Sequence, residues 1–272
     1  MSQASATKAF IAAVTANDRD ATTRALDAGA DINATIPKDG RYPDRAGRWA
    51  SKATPMLVFA ATGNKQWLAM LELLVERGAD LAAKDGLGVT AVAGAAREGV
   101  KAGVELLLDA GANPNHVNKD GDGLLHHILT RKNNHALLKR ALLAGAKTEI
   151  GKKDKTWGVP RKPTYTPLYQ AAVNADMRAV ELLVEAGADP NTGRIHDHWN
   201  INPLGHAIKV RNKPMVKLLL GAGADISLLD ADYRARLVKL MPNAPALIEA
   251  AAAAKPAPPV AKKKTAAKKK TA

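Results

Sequence analysis

Apolar and polar positions along the chain follow one recurring phrase, fullest in "TPLYQAAVNADMRAVELLVEAGADPN" at 166–191. Thr166 can cap the first amides of a helix, and Pro167 can occupy its first turn, where no amide hydrogen is needed. Val180, Leu183 and Val184 then return at helical spacing and predict a second short helix with one apolar stripe. Gly187 suits the left-handed residue that ends such a helix, and the Asp or Asn after "GA" suits a tight turn. The unit reads helix, turn, helix, turn.

The closing phrase returns as "ALDAGADIN", "LLVERGADL", "LLLDAGANPN", "ALLAGAKTE", "LLVEAGADPN" and "LLLGAGADI", with its glycine at 29, 78, 111, 145, 187 and 223. Successive gaps of 49, 33, 34, 42 and 36 place a unit of about 33 residues under the chain, with extra length in three connections. Neither helix of a unit can bury its stripe alone, so neighbouring units must stack into a continuous core.

These phrases resemble the ankyrin repeat, in which "TPLHxAA" opens the first helix and "LLxxGAdpN" closes the second. The likeness runs from about residue 6 to 229. "TPML" at 54–57 and "TPLY" at 166–169 are close, "GLLH" at 123–126 keeps the histidine as His126, and "TKAF" at 7–10 and "TAVA" at 90–93 have drifted, which predicts weaker first helices there. The resemblance implies an all-α ankyrin-repeat solenoid with six repeats over 1–229 and extended loops at 34–53, 151–165 and 192–200. A degenerate helical cap follows over 230–254, then a disordered Lys-rich tail over 255–272.

Composition agrees with short aliphatic helices, since 46% of residues are hydrophobic and only 4% aromatic. The start has no basic stretch followed by an apolar run of signal length, and no run approaches the ~20 apolar residues of a membrane span. A soluble, cytoplasmic protein is expected, without a membrane partner. The lack of cysteine excludes a disulfide framework and thiolate zinc sites. Its style suggests a bacterial or bacteriophage source.

Charge is what separates this chain from a generic solenoid. Its net +14 divides into +7 in the tail (Lys255, Lys262, Lys263, Lys264, Lys268, Lys269, Lys270), +3 in 34–53 and +4 in 151–165, so the stacked repeats sum to zero. The three extended loops also hold Tyr42, Trp49, Trp157, Tyr165 and Trp199, five of the eight Trp and Tyr residues in 44 positions. In the resemblance these loops are the fingers beside the concave face. Basic residues alternating with aromatics can grip an acidic protein surface or stack bases between phosphate contacts. The expected partner-binding residues are Arg41, Tyr42, Arg45, Arg48, Trp49, Lys152, Lys153, Lys155, Trp157, Arg161, Lys162, Tyr165, Arg194 and Trp199. Folding back over the solenoid edge is the plain alternative for the aromatics. The tail resembles the lysine, alanine and proline arms of linker histones and is expected to contact nucleic acid or another polyanion.

Catalytic chemistry does not assemble. "GLGVTAVAG" (86–94) and "GAGAD" (221–225) fall at repeat turns, and "KDGDG" (119–123) lacks the later Glu of a calcium loop. His196 and His198 in "HDHW" with His206 would be the place for a metal, but two loop histidines rarely suffice. The expectation is a non-enzymatic scaffold with no cofactor, no metal and no small-molecule substrate. It would bind a protein through fingers and concave face and nucleic acid through the tail. Direct nucleic-acid binding by the fingers is the second reading, and a metal-dependent enzyme the third.

Overall fold

A computed structural model of the chain describes residues 1–36, 54–150, 165–192, 194–196, 199–244 and 246. Among them six helix pairs follow one another. They are α1 (Gln3–Thr15) with α2 (Arg19–Asp27), α3 (Met56–Ala61) with α4 (Leu68–Glu76), and α5 (Ala91–Glu98) with α6 (Lys101–Asp109). Next come α7 (Leu124–Leu129) with α8 (His135–Leu143), α9 (Pro167–Val173) with α10 (Met177–Glu185), and α11 (Pro203–Lys209) with α12 (Lys213–Gly221). A last helix, α13 (Ala231–Leu240), packs on α11. First helices contact first helices in series and second helices do the same, so the core is one layer of aliphatic side chains running the length of the stack. Helices of six to nine residues would not persist alone in water, and this shared burial holds them.

Each closing phrase adopts the conformation its glycine permits. Gly29, Gly78, Gly111, Gly145, Gly187 and Gly223 all have φ between 82 and 90°. The Asp or Asn two positions later folds its side chain onto the backbone, as Asp189 Oδ1 does in accepting from the Asn191 amide at 2.9 Å. The residue at the end of the phrase then reaches the next repeat. Asn33 Oδ1 accepts from the Asp80 amide at 2.9 Å, Asn115 Oδ1 from Lys147 at 2.7 Å, Glu149 Oε1 from Asp189 at 3.0 Å and Asn191 Oδ1 from Asp225 at 2.7 Å. Asn115 and Asn191 also donate to the carbonyls of Gly145 and Gly223. The rung between the second and third repeats is missing, because Ala82 occupies that position and has no acceptor.

The drifted first helices are formed, for different reasons. In the first repeat α1 starts at Gln3, ahead of the "TKAF" phrase, with the Ser2 hydroxyl accepting from the Ser5 amide. Its thirteen residues bury Phe10 and Val14 completely. In the third repeat α5 follows Thr90 with no side-chain cap, and the buried Thr90 hydroxyl has no hydrogen-bond partner among the described residues. By contrast Thr166 caps α9 through the Tyr169 amide at 3.2 Å, and Asn202 caps α11 through Gly205 at 2.8 Å.

Short antiparallel pairs interrupt the helical plan at the loops. β1 (Thr35–Ile36) pairs with β2 (Thr54–Pro55) at the base of the first extended loop. β3 (Arg194–His196) pairs with β4 (Trp199–Ile201). Strand pairing thus occupies 194–196 and 199–201 of the third extended connection. Beyond α13, most of the second cap helix expected before 254 lies outside the described residues, as does the tail.

Three substitutions test this account of the stack. Ala82→Asn restores the missing rung and is expected to raise unfolding free energy by about 1 kcal/mol, read from urea denaturation. Thr90→Val removes an unpartnered buried hydroxyl and should leave stability unchanged or higher, whereas Thr166→Val should cost about 1 kcal/mol.

Candidate functional site

The connections emerge along one edge, each just before a first helix, so the edge is built from turn chemistry. In the third repeat a bridge between Lys84 and Thr90 closes a turn in which Asp85 Oδ1 accepts from the Leu87 and Val89 amides, both at 2.8 Å. In the fourth, Val117 bridges Gly123 and Asn118 Oδ1 accepts from the Asp120 and Asp122 amides, both at 2.9 Å. That is the "KDGDG" stretch, and the oxygen of Asn118 is taken by backbone donors. The two fingers are tied together: the Lys119 amide donates to the Leu87 carbonyl at 3.0 Å, Lys119 Nζ to the Gly86 carbonyl at 2.7 Å, and His116 Nε2 lies 3.0 Å from the Gly88 carbonyl. Leu87 and Val117 stay exposed on them, 53% and 37%.

The glycines that imitated phosphate loops serve packing and turns. Gly88 sits in the finger with φ 81°, and Gly94 lies inside α5, where a Cβ would come within 2.9 Å of Thr62 Cγ2. Gly221 ends α12 and Gly223 is the closing left-handed residue. Among the described residues no group of three or more His, Asp and Glu is arranged to hold a metal ion.

At the base of the later fingers the first helices carry a row of rings. His126 is buried, accepts from the Gly123 amide at Nδ1 (3.2 Å), and reaches the Tyr165 carbonyl with Nε2 (2.8 Å). Both bonds are met when Nε2 carries the proton and donates to Tyr165. This histidine therefore fastens the fourth repeat to the fifth. The row continues from His126 to Tyr165 (6.4 Å between centroids), Tyr165 to Tyr169 (5.3 Å) and Tyr169 to His206 (6.2 Å). Tyr165, expected as a partner-binding residue, is half-buried in this row.

Next to His126 in α7, His127 is buried, and its Nε2 has no hydrogen-bond partner among the described residues. Burial pushes the pKa of His127 below the usual 6.5, with Asp122 partly opposing and Arg97 reinforcing. Burial, with a smaller push from Lys209, also lowers His206. Both imidazoles favour the neutral, donor-and-acceptor form on this face.

Arg194 and Trp199 fall on the β3–β4 hairpin, with Cα partners Ile201 and His196 respectively. Arg41, Tyr42, Arg45, Arg48, Trp49, Lys152, Lys153, Lys155, Trp157, Arg161 and Lys162 lie outside the described residues, as do His198 and all seven tail lysines. The sequence reading missed Leu87 and Val117. The signal available was an apolar residue inside a turn whose chemistry otherwise calls for polar side chains. It also missed the continuity of Tyr165, Tyr169 and His206, which needs the repeats to be superposed.

The family described as ankyrin repeats (three copies) matches residues 93–194 and 125–230, just over half of the chain. The chain belongs to the ankyrin repeat family. An ankyrin repeat protein of Fowlpox virus (strain NVSL) is 31% identical over 114 residues, 42% of this chain and 23% of the viral protein, so the match spans under a quarter of that relative. An ankyrin repeat domain of Acinetobacter baumannii AYE, known from its crystal structure, is 27% identical, with a TM-score of 0.53 over 66% of this chain and 81% of that one. The family is typically a non-enzymatic scaffold whose repeats mediate protein–protein interaction. No described helix of this ankyrin protein is long and apolar enough to cross a membrane.

The depressed histidines give the stack a pH dependence of definite sign. A base with its folded pKa below the unfolded value leaves stability complete above about 6.5 and loses it as pH falls toward the folded pKa. Urea midpoints are expected to drop between pH 7.5 and 5, and to drop less in a His127→Gln, His206→Gln double variant.

Proposed function

We propose that this ankyrin protein is a binding scaffold whose finger edge and concave face hold a protein partner with an acidic surface, while the basic tail contacts nucleic acid. The division into a repeat body over 1–229, a helical cap over 230–254 and a Lys-rich arm over 255–272 is part of the proposal. The observation that carries it is how the polar chemistry of the repeats is used. Asn33, Asn115, Glu149, Asn191 and His126 are committed to neighbouring repeats, and Asp85 and Asn118 to their own turns. The sequence places the basic and aromatic excess in the inserted loops, away from these commitments. The described part of the finger edge adds an apolar pair, Leu87 and Val117, beside Lys119.

In this reading Trp49, Trp157 and Trp199 are anchors, and Arg45, Arg48, Arg161 and Lys162 pair with partner carboxylates. Arg41, Tyr42, Lys152, Lys153, Lys155, Tyr165 and Arg194 frame them. The tail lysines make sequence-independent phosphate contacts and raise the local concentration of the scaffold along the polymer. Membranes, small-molecule substrates and cofactors have no place in it.

Two measurements test the two halves. Peptides selected on the full chain from a random display library should be rich in Asp and Glu, and Trp157→Ala should weaken the best of them by at least about tenfold, the usual effect of losing an aromatic anchor. Selected peptides that bind the Trp49, Trp157 and Trp199 triple alanine variant equally well would overturn the finger assignment. For the tail, replacing its seven lysines by alanine should reduce the slope of log K against log salt for a random DNA duplex by roughly 6. An unchanged slope removes the tail from nucleic-acid binding.

A further inference from the structure

α13 does more than cover the last apolar face. Between it and the end of α11 lies a cleft of about 400 Å³ lined by Ile208, Lys209, Arg211, Arg236, Lys239 and Leu240. Its floor is apolar, with Ile208 fully buried, and four of its six lining residues are cations with no acid among them. Such a concentration stands out in a repeat body whose charges otherwise cancel.

Helix electrostatics explain only half of it. Lys209 and Lys239 lie in the last turns of α11 and α13, where a cation complements the carbonyl end of the helix. Arg211 and Arg236 lie outside that explanation. Arg236 is held in place by Asp232 at 2.7 Å and by the Tyr233 ring, whose centroid is 5.4 Å from the guanidinium carbon. Arg211 is the more informative residue. It occupies the left-handed position in the turn between α11 and α12, with φ 57°. The first and fourth repeats place Asn17 and Asn133 at that turn with φ 57 and 60°, and the fifth places Ala175 there with φ 54°, all shorter side chains than arginine. A long cation in this conformation costs about 1 kcal/mol or more of backbone strain, and it stands on the rim of the cleft.

We propose that this cleft is a second phosphate-binding element, which grips the backbone of the same double-stranded nucleic acid that the tail contacts. The proposal rests on the nucleic-acid reading of the tail. Chain connectivity selects this occupant. Leu240 lines the cleft, and the lysine arm begins at Lys255, fifteen residues later. Fifteen residues span roughly 20 Å as helix and at most about 50 Å extended, no more than about one and a half turns of duplex, so cleft and arm can engage one polymer. An acidic peptide could also meet the cations of the cleft, but it would have no use for seven more on an arm that carries no acid. The apolar floor and cationic rim suit sugar and phosphate, and contacts of this kind position a protein without reading sequence.

The test uses the full chain, a random 30-base-pair duplex and a salt series. In Arg211→Gly, Lys239→Ala the left-handed turn is kept and relieved of strain, so the thermal midpoint should hold or rise. Two lost phosphate contacts should lower the salt slope by roughly 2 and weaken low-salt binding by at least about tenfold. A second variant with the seven tail lysines replaced by alanine separates the readings. If it loses binding while the cleft variant keeps the wild-type slope and affinity, the tail reading stands and the cleft proposal is overturned. If the wild-type chain does not bind the duplex, both fall. If poly-glutamate binds the wild type as tightly as the duplex and loses equally in the cleft variant, the cleft is a site for acidic protein and the proposal is overturned. Reduced slopes in both variants, with poly-glutamate weaker, establish two phosphate elements.

Discussion

No unit of this chain can bury its own apolar stripe, and everything else in the structure answers to that constraint. Helices of six to nine residues are too short to survive alone, so each first helix must lie on the next and each second helix on its counterpart. Stacking fixes the spacing between repeats. The fixed spacing then lets one side chain of each closing phrase reach the amide of the following one, from Asn33 to Asp80 and from Asn191 to Asp225. Hydrogen bonds and burial therefore reinforce the same register. The joint at Ala82 rests on burial and on the finger contacts made by Lys119 and His116.

Once the core and the rungs are satisfied, extra length is accommodated at the margins. Fingers carry insertions without disturbing the stack because their bases are closed by local pairing, as Ile36 with Thr54 closes the first. At the C-terminal end α13 covers α11 with Tyr233 and Leu237. The charges of the repeat body cancel, and the net positive excess lies in the inserted loops and the tail.

The histidines show how one residue type takes different roles along one column of helices. His126 is satisfied at both nitrogens and joins two repeats. His127, one residue on, is buried with Nε2 unmatched among the described residues, and its charged form is disfavoured. His206 stands against Tyr169 in a partly solvated setting. Chain position, not residue type, separates linchpin from surface group.

The sequence by itself determined the repeat, its register, the left-handed glycines and the cap chemistry of α9, because these depend on contacts within a few residues that a period makes visible. The position equivalent to His126 was legible for the same reason. It also determined where charge and aromatics gather, since that is a matter of counting. Tertiary structure alone decided that Thr90 caps nothing while Thr166 does, that 194–196 pairs with 199–201, and that Leu87 and Val117 share an edge. It also decided that Arg211 and Arg236 face one cleft although they are 25 positions apart. Each of those depends on how repeats superpose, and a one-dimensional pattern gives the period of the stack without giving the distances across it.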